Sequence, residues 1–167
     1  VRLLGVVDHH GQALVQRSPV AGALLEAEQS SIRSSEDVLH RLGKSVPSDY
    51  CIELNSHALA RYARIVQHYD MVPIVEPEVL MDGSHSLEKC YEVTSKTLKS
   101  LFSNLNFQGV YLGGILLKPN MIISGIDSKE QSSVKDVSKN TINCLKQNVP
   151  DEVPGIVFLS GGQNNDL

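Results

Sequence analysis

The sequence is poor in cysteine, and its three cysteines are widely separated. Cys51, Cys90 and Cys144 are an odd number and form no Cys-x-x-Cys pair. Disulfide frameworks and zinc sites both need paired or clustered cysteines, so we expect neither in this chain. The same scarcity is typical of proteins in a reducing compartment, and we therefore expect a cytoplasmic location.

Long apolar runs and a surplus of positive charge are also lacking. No run approaches the roughly 20 residues that a transmembrane helix needs, and the opening VRLLGVVD turns acidic too soon for a signal peptide. Lysine and arginine number 15 against 19 aspartates and glutamates, which gives a formal net charge of -4. We therefore expect neither a membrane nor a nucleic-acid partner, and an anionic ligand would need a local cationic pocket.

The chain does contain enough apolar sequence for one domain, since 41% of its 167 residues are hydrophobic. The pattern divides at about residue 42. Residues 1–42 are rich in small and polar residues, show no sustained period, and form a poorly specified segment. Residues 43–167 carry clear helix and strand patterns. The first residue is Val1, so we expect the chain to be a piece of a longer protein.

Three amphipathic helices are predicted from apolar residues that recur with the 3.6-residue period of a helix. The first follows Ser48, the second is capped by Ser86, and the third ends before Pro150. The predicted buried positions are Cys51, Leu54, Ala58, Tyr62, Ile65 and Val66 in the first helix, Leu87, Cys90, Tyr91, Thr94, Leu98, Leu101, Phe102 and Leu105 in the second, and Val134, Val137, Thr141, Ile142 and Leu145 in the third.

Three apolar runs typical of buried strands, residues 71–75, 110–117 and 155–159, alternate with the last two helices. This alternation predicts an α/β fold with a parallel sheet, in which the crossover helices cover the strands. Each run ends in polar or small residues: EPE at 76–78, KPN at 118–120 and SGG at 160–162. Ligands gather at the carboxyl ends of parallel strands, so we expect these three groups to face one pocket.

The first two strand ends carry residues suited to Schiff-base chemistry. A lysine at the end of an apolar strand is desolvated, which favours the neutral amine, so Lys118 is placed to attack a carbonyl. A neighbouring carboxyl group must shuttle protons as the carbinolamine loses water, and Glu76 is the candidate. Glu78 lies two residues further on and is a candidate electrostatic partner.

The third strand end is suited to an anion. Ser160 offers a hydroxyl, and the backbone amides of Gly161 and Gly162 are unobstructed by side chains, so the loop can approach a phosphate closely. Taken alone, each of the three features has a plainer explanation: a solvated lysine, a polar turn and a strand-to-helix turn. Their occurrence at three successive strand ends favours a site.

Three stretches, VPIVEPEVLMDGSHSLEKC, YLGGILLKPNMIISG and VPGIVFLSGGQ, closely resemble class I fructose-bisphosphate aldolase, the Schiff-base type. The resemblance covers residues 43–167 and includes PSDYCIELNSHALARYARIV on the first helix. It implies a TIM (β/α)₈ barrel, here present in part as about three parallel strands with their helices. The implied activity is cleavage of fructose 1,6-bisphosphate to dihydroxyacetone phosphate and glyceraldehyde 3-phosphate in glycolysis. The implied enzyme uses no metal or other cofactor, acts on a small sugar phosphate, and is a homo-oligomer.

On the family pattern, Lys118 matches the Schiff-base lysine, Glu76 the acid/base carboxylate and Glu78 the second glutamate of the motif. Ser160, Gly161 and Gly162 match the loop that holds a substrate phosphate. Gly113 departs from the pattern, because a glutamate is usual there. A barrel of this kind needs around 250 residues at least, and the matched strands resemble only the fifth to the seventh. We therefore expect this chain alone to be weakly active or inactive.

Two other functions remain open at the level of sequence. GVVDHHG at residues 5–11 resembles the Asp-His-His motif of metal-dependent phosphoesterases, in which Asp8, His9 and His10 would bind manganese or zinc. No further acidic or histidine cluster supports such a metal site, and a polar turn also explains the motif. Alternatively, the partial barrel is a noncatalytic binding or assembly module that docks on full-length aldolase subunits.

Overall fold

The computed structural model describes residues 6–7, 13–14 and 47–158 of this chain. Two short strands, β1 (Val6–Val7) and β2 (Ala13–Leu14), pair with each other antiparallel. The other described elements are, in chain order, α1 (Asp49–His68), β3 (Ile74–Val75), α2 (Leu87–Phe107), a 3₁₀ turn (Leu112–Gly114), β4 (Leu116–Leu117) and α3 (Val134–Asn148).

The second sheet is parallel. β3 and β4 lie side by side, with Ile74 opposite Leu116 and Val75 opposite Leu117. On the other side of β4, Leu117 forms a parallel bridge with Ile156. The three apolar runs are therefore neighbours that point in the same direction. The predicted α/β class with parallel strands is confirmed for the described residues.

The strands are much shorter than the sequence predicts, and the prediction of one strand over residues 110–117 is wrong. Leu112–Gly114 forms a 3₁₀ turn instead. The side chain of Gln67 explains the turn, because its amide nitrogen donates to the carbonyl oxygens of Tyr111, at 2.8 Å, and Gly114, at 3.2 Å. The amide oxygen of Gln67 accepts from the Tyr111 backbone N–H at 2.9 Å. These bonds satisfy backbone groups that a longer strand would have paired with a neighbour.

The first two helices begin where the sequence predicts, α1 after Ser48 and α2 after Ser86. Ser48 accepts from the backbone N–H of Cys51 at 3.2 Å, and Ser86 accepts from that of Lys89 at 3.3 Å. Such caps satisfy N–H groups that the first helical turn leaves without partners. Gly109 follows α2 with a φ of 68°, the left-handed conformation that commonly ends a helix. None of the helices in the part of the chain that the structure describes is both long and apolar enough to cross a membrane.

The core is built on α2, whose predicted buried face is largely confirmed. Leu98, Leu101 and Leu105 are fully buried in a cluster that also contains Val75 of β3 and Leu117 of β4. Apart from Leu87 and Tyr91, which are partly exposed, the residues predicted on this face are buried. The helix therefore covers the sheet, as a crossover helix in a parallel α/β fold should.

The predicted face of α1 is only partly right. Only Cys51 and Val66 of the predicted set are buried, and Leu54 is 49% exposed. The buried stripe runs instead through small residues, including Ser56, Ala60 and Ala63. Small side chains let two helices approach closely, so the side of α1 that packs is the one with the least bulk rather than the largest apolar residues. A prediction that places the largest apolar residues in the core therefore misses part of the buried side of such a helix.

The face of α3 is also only partly as predicted. Val137 and Thr141 are buried, but Val134 is 61% exposed and Ile142 is 52% exposed. Cys144, which was not among the predicted positions, is fully buried, and burial raises the pKa of its thiol to about 11. The contact between α2 and α3 is narrow and partly polar, since the hydroxyl of Tyr91 donates to Gln147 at 2.8 Å.

The role of α2 in the core leads to a stability prediction. We expect Leu101→Ala to lower the free energy of unfolding by about 2 to 5 kcal/mol, because it leaves a cavity that the packed core cannot fill. Leu54→Ala removes the same atoms from an exposed position of α1 and should change the value by about 0.5 kcal/mol or less. Urea unfolding of the full chain and both variants measures this difference. Equal losses in the two variants would contradict the assignment of the core.

Candidate active site at the strand ends

The parallel register positions Glu76 and Lys118 beside each other. Val75 lies opposite Leu117, so the next residue of each strand, Glu76 and Lys118, continues the same pairing. Side chains alternate between the two faces of a strand. Val75 and Leu117 point into the core, and the residues that follow them therefore point to the other face. This face carries the functional groups of both strand ends.

Lys118 and Glu76 form an ion pair. The Lys118 Nζ and a Glu76 carboxylate oxygen are 2.9 Å apart. The Lys118 side chain is only 14% exposed, whereas that of Glu76 is 43% exposed. The backbone adds a second link, because the Lys118 N–H donates to the Val75 carbonyl oxygen at 2.8 Å. A nearly buried amine is thus held against a carboxylate that solvent or a small molecule can reach.

Glu78 belongs to the same electrostatic group. Desolvation is the main cause that raises the pKa of its carboxyl group above the ordinary value. Repulsion from the Glu76 charge adds to this effect, and attraction to the Lys118 charge opposes it. The shift therefore depends on both members of the ion pair, and the three groups form one coupled cluster.

A small cleft lies beside this cluster. It is lined by Ile52 and Leu59 of α1, by Thr97 of α2 and by residues 76–79, and its volume is about 50 Å³. That volume holds a few water molecules. Lys118 does not line the cleft. The cleft therefore lies between α1 and the strand end, and Glu76 and Glu78 border it whereas Lys118 does not.

The loops that follow the two strand ends are joined by backbone hydrogen bonds. The N–H groups of Gly125, Ile126 and Asp127 donate to the carbonyl oxygens of His85, Met81 and Gly83, respectively, at 2.8 to 2.9 Å. A Cβ atom on Gly125 would collide with the Gly83 carbonyl oxygen, so only glycine fits this approach. His85 is 7% exposed, and burial lowers the pKa of its imidazole. The two loops are therefore packed directly against each other.

Sequence reasoning assigned no role to Asn120, although this residue makes the most extensive side-chain contacts at the strand ends. Its amide oxygen accepts from the Val79 backbone N–H at 3.0 Å. Its amide nitrogen donates to the Thr94 hydroxyl and to the Met121 carbonyl oxygen, both at 3.0 Å. The sequence did contain a signal for such contacts. Pro77 and Pro119 both lack the N–H groups with which strands usually continue their pairing, so a nearby polar side chain is needed to join the strand ends.

Several predicted site residues lie outside the described residues. The proposed phosphate loop, Ser160, Gly161 and Gly162, follows the last described residue, Phe158. The alternative metal motif, Asp8, His9 and His10, falls between the described strands β1 and β2. Within the described residues, no group of three histidine, cysteine, aspartate or glutamate side chains is arranged to hold a metal ion.

Comparison with known proteins identifies the family. The sequence model described as "Fructose-bisphosphate aldolase class-I" matches residues 37–166, most of the chain. This chain belongs to the class I fructose-bisphosphate aldolase family. The "Probable fructose-bisphosphate aldolase class 1" of Xanthomonas axonopodis pv. citri is 56% identical over 125 residues, which are 75% of this chain and 37% of that protein. The "Fructose-bisphosphate aldolase" of Dictyostelium discoideum is 48% identical over 122 residues, or 73% of this chain and 34% of that protein.

A solved structure gives the same relationship. Fructose-bisphosphate aldolase from Plasmodium falciparum, crystallised in complex with TRAP and a small molecule inhibitor, superposes with a TM-score of 0.72 at 39% identity. The match covers 86% of this chain and 43% of that aldolase chain. This chain therefore spans little more than a third of the length of its curated aldolase relatives.

The coupling of the three charged groups leads to a prediction for Glu78. In a carboxyl-carbon NMR titration, the Glu78 midpoint should lie above the ordinary glutamate value. Glu76→Gln should lower the midpoint, because it removes a repelling charge, and Lys118→Met should raise it further, because it removes an attracting charge. Glu88 is an internal control, since the Ser86 hydroxyl lowers the pKa of its carboxyl group and it lies outside the cluster.

The sign of the effect on stability follows from the raised pKa. The folded chain holds a proton on Glu78 more tightly than the unfolded chain, so ionisation of Glu78 destabilises the fold as the pH rises through the folded pKa. Glu78→Gln should therefore gain stability relative to the parent chain on going from acidic to neutral pH. A Glu78 midpoint at or below the ordinary value, insensitive to both substitutions, would contradict the cluster.

Proposed function

We propose that this chain carries the Schiff-base site of a class I fructose-bisphosphate aldolase, with Lys118 as the nucleophile and Glu76 as the acid/base group. The observation that supports the proposal most strongly is the 2.9 Å contact between the Lys118 amine and the Glu76 carboxylate. Membership of the family supports the substrate class, a small sugar phosphate. No metal or other cofactor enters the proposed chemistry.

The ion pair supplies a route for the first proton transfer. Movement of a proton from Lys118 Nζ to Glu76 leaves a neutral amine and a carboxylic acid. The amine attacks the C2 carbonyl carbon of fructose 1,6-bisphosphate, and the carbinolamine loses water when Glu76 returns the proton to the departing hydroxyl. The Glu76 carboxylate then takes the proton of the C4 hydroxyl, and the C3–C4 bond breaks as its electron pair moves to the iminium and forms an enamine. Glyceraldehyde 3-phosphate leaves, and the enamine is protonated and hydrolysed to dihydroxyacetone phosphate.

Glu78 and the SGG loop complete the proposed site. The carboxyl group of Glu78 interacts electrostatically with both Lys118 and Glu76, and we propose it as their electrostatic partner. Ser160, Gly161 and Gly162 bind a substrate phosphate through a hydroxyl and open backbone amides. The support for this loop is the parallel bridge between Ile156 and Leu117. Because the segment at Ile156 runs in the same direction as β4, the residues that follow it should lie at the same end of the sheet as Lys118.

The wider setting follows from the family. We propose that residues 43–167 are part of a (β/α)₈ barrel and that residues 1–42 are a separate segment. The face that carries Lys118 and Glu76 is the side that further strands of a barrel would enclose. A cytoplasmic homo-oligomer that acts in glycolysis is the corresponding proposal for the whole enzyme.

We further propose that this chain alone cleaves fructose 1,6-bisphosphate poorly. Formation of the Schiff base needs an amine and a nearby acid, and both are present in the described residues. Cleavage of the C3–C4 bond also needs the sugar to be held in register, and a misplacement of about 1 Å can cost on the order of 100-fold in rate. The chain spans 37% of the length of its Xanthomonas relative, so most of the groups that would position the sugar are absent.

Borohydride trapping tests the site directly. The full chain, Lys118→Met and Lys89→Met are each incubated with dihydroxyacetone phosphate and sodium borohydride, and adducts are mapped by mass spectrometry. Lys89 is the matched control, because its amine also lies 2.9 Å from a carboxylate, that of Glu92, but its side chain is 43% exposed. We expect an adduct on Lys118 in the parent chain and in Lys89→Met, and none in Lys118→Met.

Three outcomes would contradict parts of the proposal. An adduct on another lysine, with Lys118 unmodified, would refute the nucleophile assignment. No adduct on a folded chain that co-purifies with intact aldolase would favour the noncatalytic module. Cleavage of fructose 1,6-bisphosphate at the rate of an intact aldolase, assayed in parallel, would refute the predicted loss of activity.

A further inference from the structure

The hydrogen-bond ladder between β3 and β4 is interrupted at the strand ends. Leu116 and Lys118 donate their N–H groups to the carbonyl oxygens of Pro73 and Val75, at 3.0 and 2.8 Å. In this register the next donor from the β3 side, opposite the Lys118 carbonyl, would be residue 77. Residue 77 is a proline and has no N–H. The backbone ladder therefore ends at Glu76, and the next backbone bonds between the two segments are those that reach Met81, Gly83 and His85.

The Asn120 side chain restores the missing link. It accepts from the Val79 N–H at 3.0 Å, two residues beyond Pro77. The segment that contains Glu76 and Glu78 is thus fastened at both ends to residues 118–120, at Val75 through the Lys118 backbone and at Val79 through the Asn120 side chain. Glu76 and Glu78 lie between these two bonds.

Asn120 is itself anchored to the core. Its amide nitrogen donates to the hydroxyl of Thr94, a fully buried residue of α2, at 3.0 Å. A buried hydroxyl that loses its partner costs free energy, so this bond resists displacement of the amide. The strand end that carries the glutamates is therefore connected through one side chain to α2, the helix on which the core is built.

We infer that Asn120 is a positioning residue that holds the carboxyl group of Glu76 against the Lys118 amine. The catalytic consequence rests on the proposed function, whereas the geometric consequence does not. Loss of the Asn120 amide frees residues 77–79 from residues 118–120, and the ion pair then separates part of the time. Lys118 becomes more accessible, and the acid/base group is no longer in line for its proton transfers.

Loss of the Asn120 amide should therefore make Lys118 react faster with a general acylating reagent and more slowly with the substrate. These opposite changes in two rates of one lysine make the inference testable. In Asn120→Ala, limited acylation with acetic anhydride should modify Lys118 several-fold faster than in the parent chain. Exposed Lys129 should react at an unchanged rate. Trapping with dihydroxyacetone phosphate and borohydride should slow at saturation by on the order of 10- to 100-fold. A general loss of structure would instead accelerate the acylation of every lysine.

Three further variants separate positioning from folding. Asn120→Asp keeps an oxygen that can accept from Val79 but loses the donor to Thr94, so its effects should be intermediate. Thr94→Val removes the hydroxyl partner at nearly constant volume and leaves the Asn120 amide only a weaker contact with α2, to the Cys90 Sγ at 3.7 Å, so it should shift both rates in the same directions as Asn120→Ala but by less. Asn140→Ala is the control, because the Asn140 amide donates only to the local carbonyl of Asp136, at 2.8 Å, and both Lys118 rates should stay at parent values.

The outcomes distinguish this inference from the proposed function. If Asn120→Ala and Thr94→Val leave both Lys118 rates equal to those of Asn140→Ala, the positioning role is refuted. If acylation of Lys118 rises but no chain forms an adduct, the positioning geometry stands and the aldolase proposal fails. If Asn120→Ala accelerates the acylation of every lysine, Asn120→Asp and Thr94→Val are compared with Asn140→Ala instead. Faster acylation of Lys118 alone in these two variants supports the positioning role, and Lys118 rates equal to those of Asn140→Ala refute it.

Discussion

The parallel register of β3 and β4 is the constraint on which the candidate site depends. It pairs Val75 with Leu117, so the next two residues, Glu76 and Lys118, meet at 2.9 Å. A shift of one residue would move every side chain of one strand to the opposite face and would bury a charge in the core. The burial of Val75 and Leu117 under α2 therefore fixes the chemistry on the other face. The same pairing of β3 with β4 thus places Val75 and Leu117 in the core and brings Glu76 and Lys118 together on the other face.

Prolines limit how far this register extends. Pro77 and Pro119 end both strands just after the charged residues, because neither has an N–H group with which to continue the ladder. Side chains link the segments on either side of the short ladder. Gln67 bonds to the turn before β4, and Asn120 joins the two strand ends beyond the prolines. The loops at Gly83 and Gly125 add a third connection. Short strands with many side-chain contacts hold the nearly buried Lys118 against the more accessible Glu76, which suits a site at the ends of strands.

The sequence predicted the order and direction of the elements better than their faces and lengths. Caps such as Ser48 and Ser86 are local signals, and both helices begin where they predict. The buried face of α1 depends on how closely α2 approaches, a tertiary property that favours Ala60 and Ala63 over Leu54. The 3₁₀ turn at Leu112–Gly114 depends on Gln67, which lies far away in the sequence. The sequence predicts the pair of Lys118 and Glu76, because a parallel fold places the ends of neighbouring strands together. The hydrogen bonds of Asn120 depend on how α2 packs against the strand ends, which the sequence pattern does not show.

Zero-length cross-linking is the most direct test of this register. A water-soluble carbodiimide joins a carboxylate to an amine only when the two are in contact, and tandem mass spectrometry identifies the linked residues. The account predicts an isopeptide bond between Glu76 and Lys118 in the folded chain, lost in urea, with the exposed pair of Lys89 and Glu92 as a positive control at the same 2.9 Å separation. A folded chain in which Lys89 links to Glu92, while Lys118 links to a carboxylate other than Glu76 or Glu78, would contradict it.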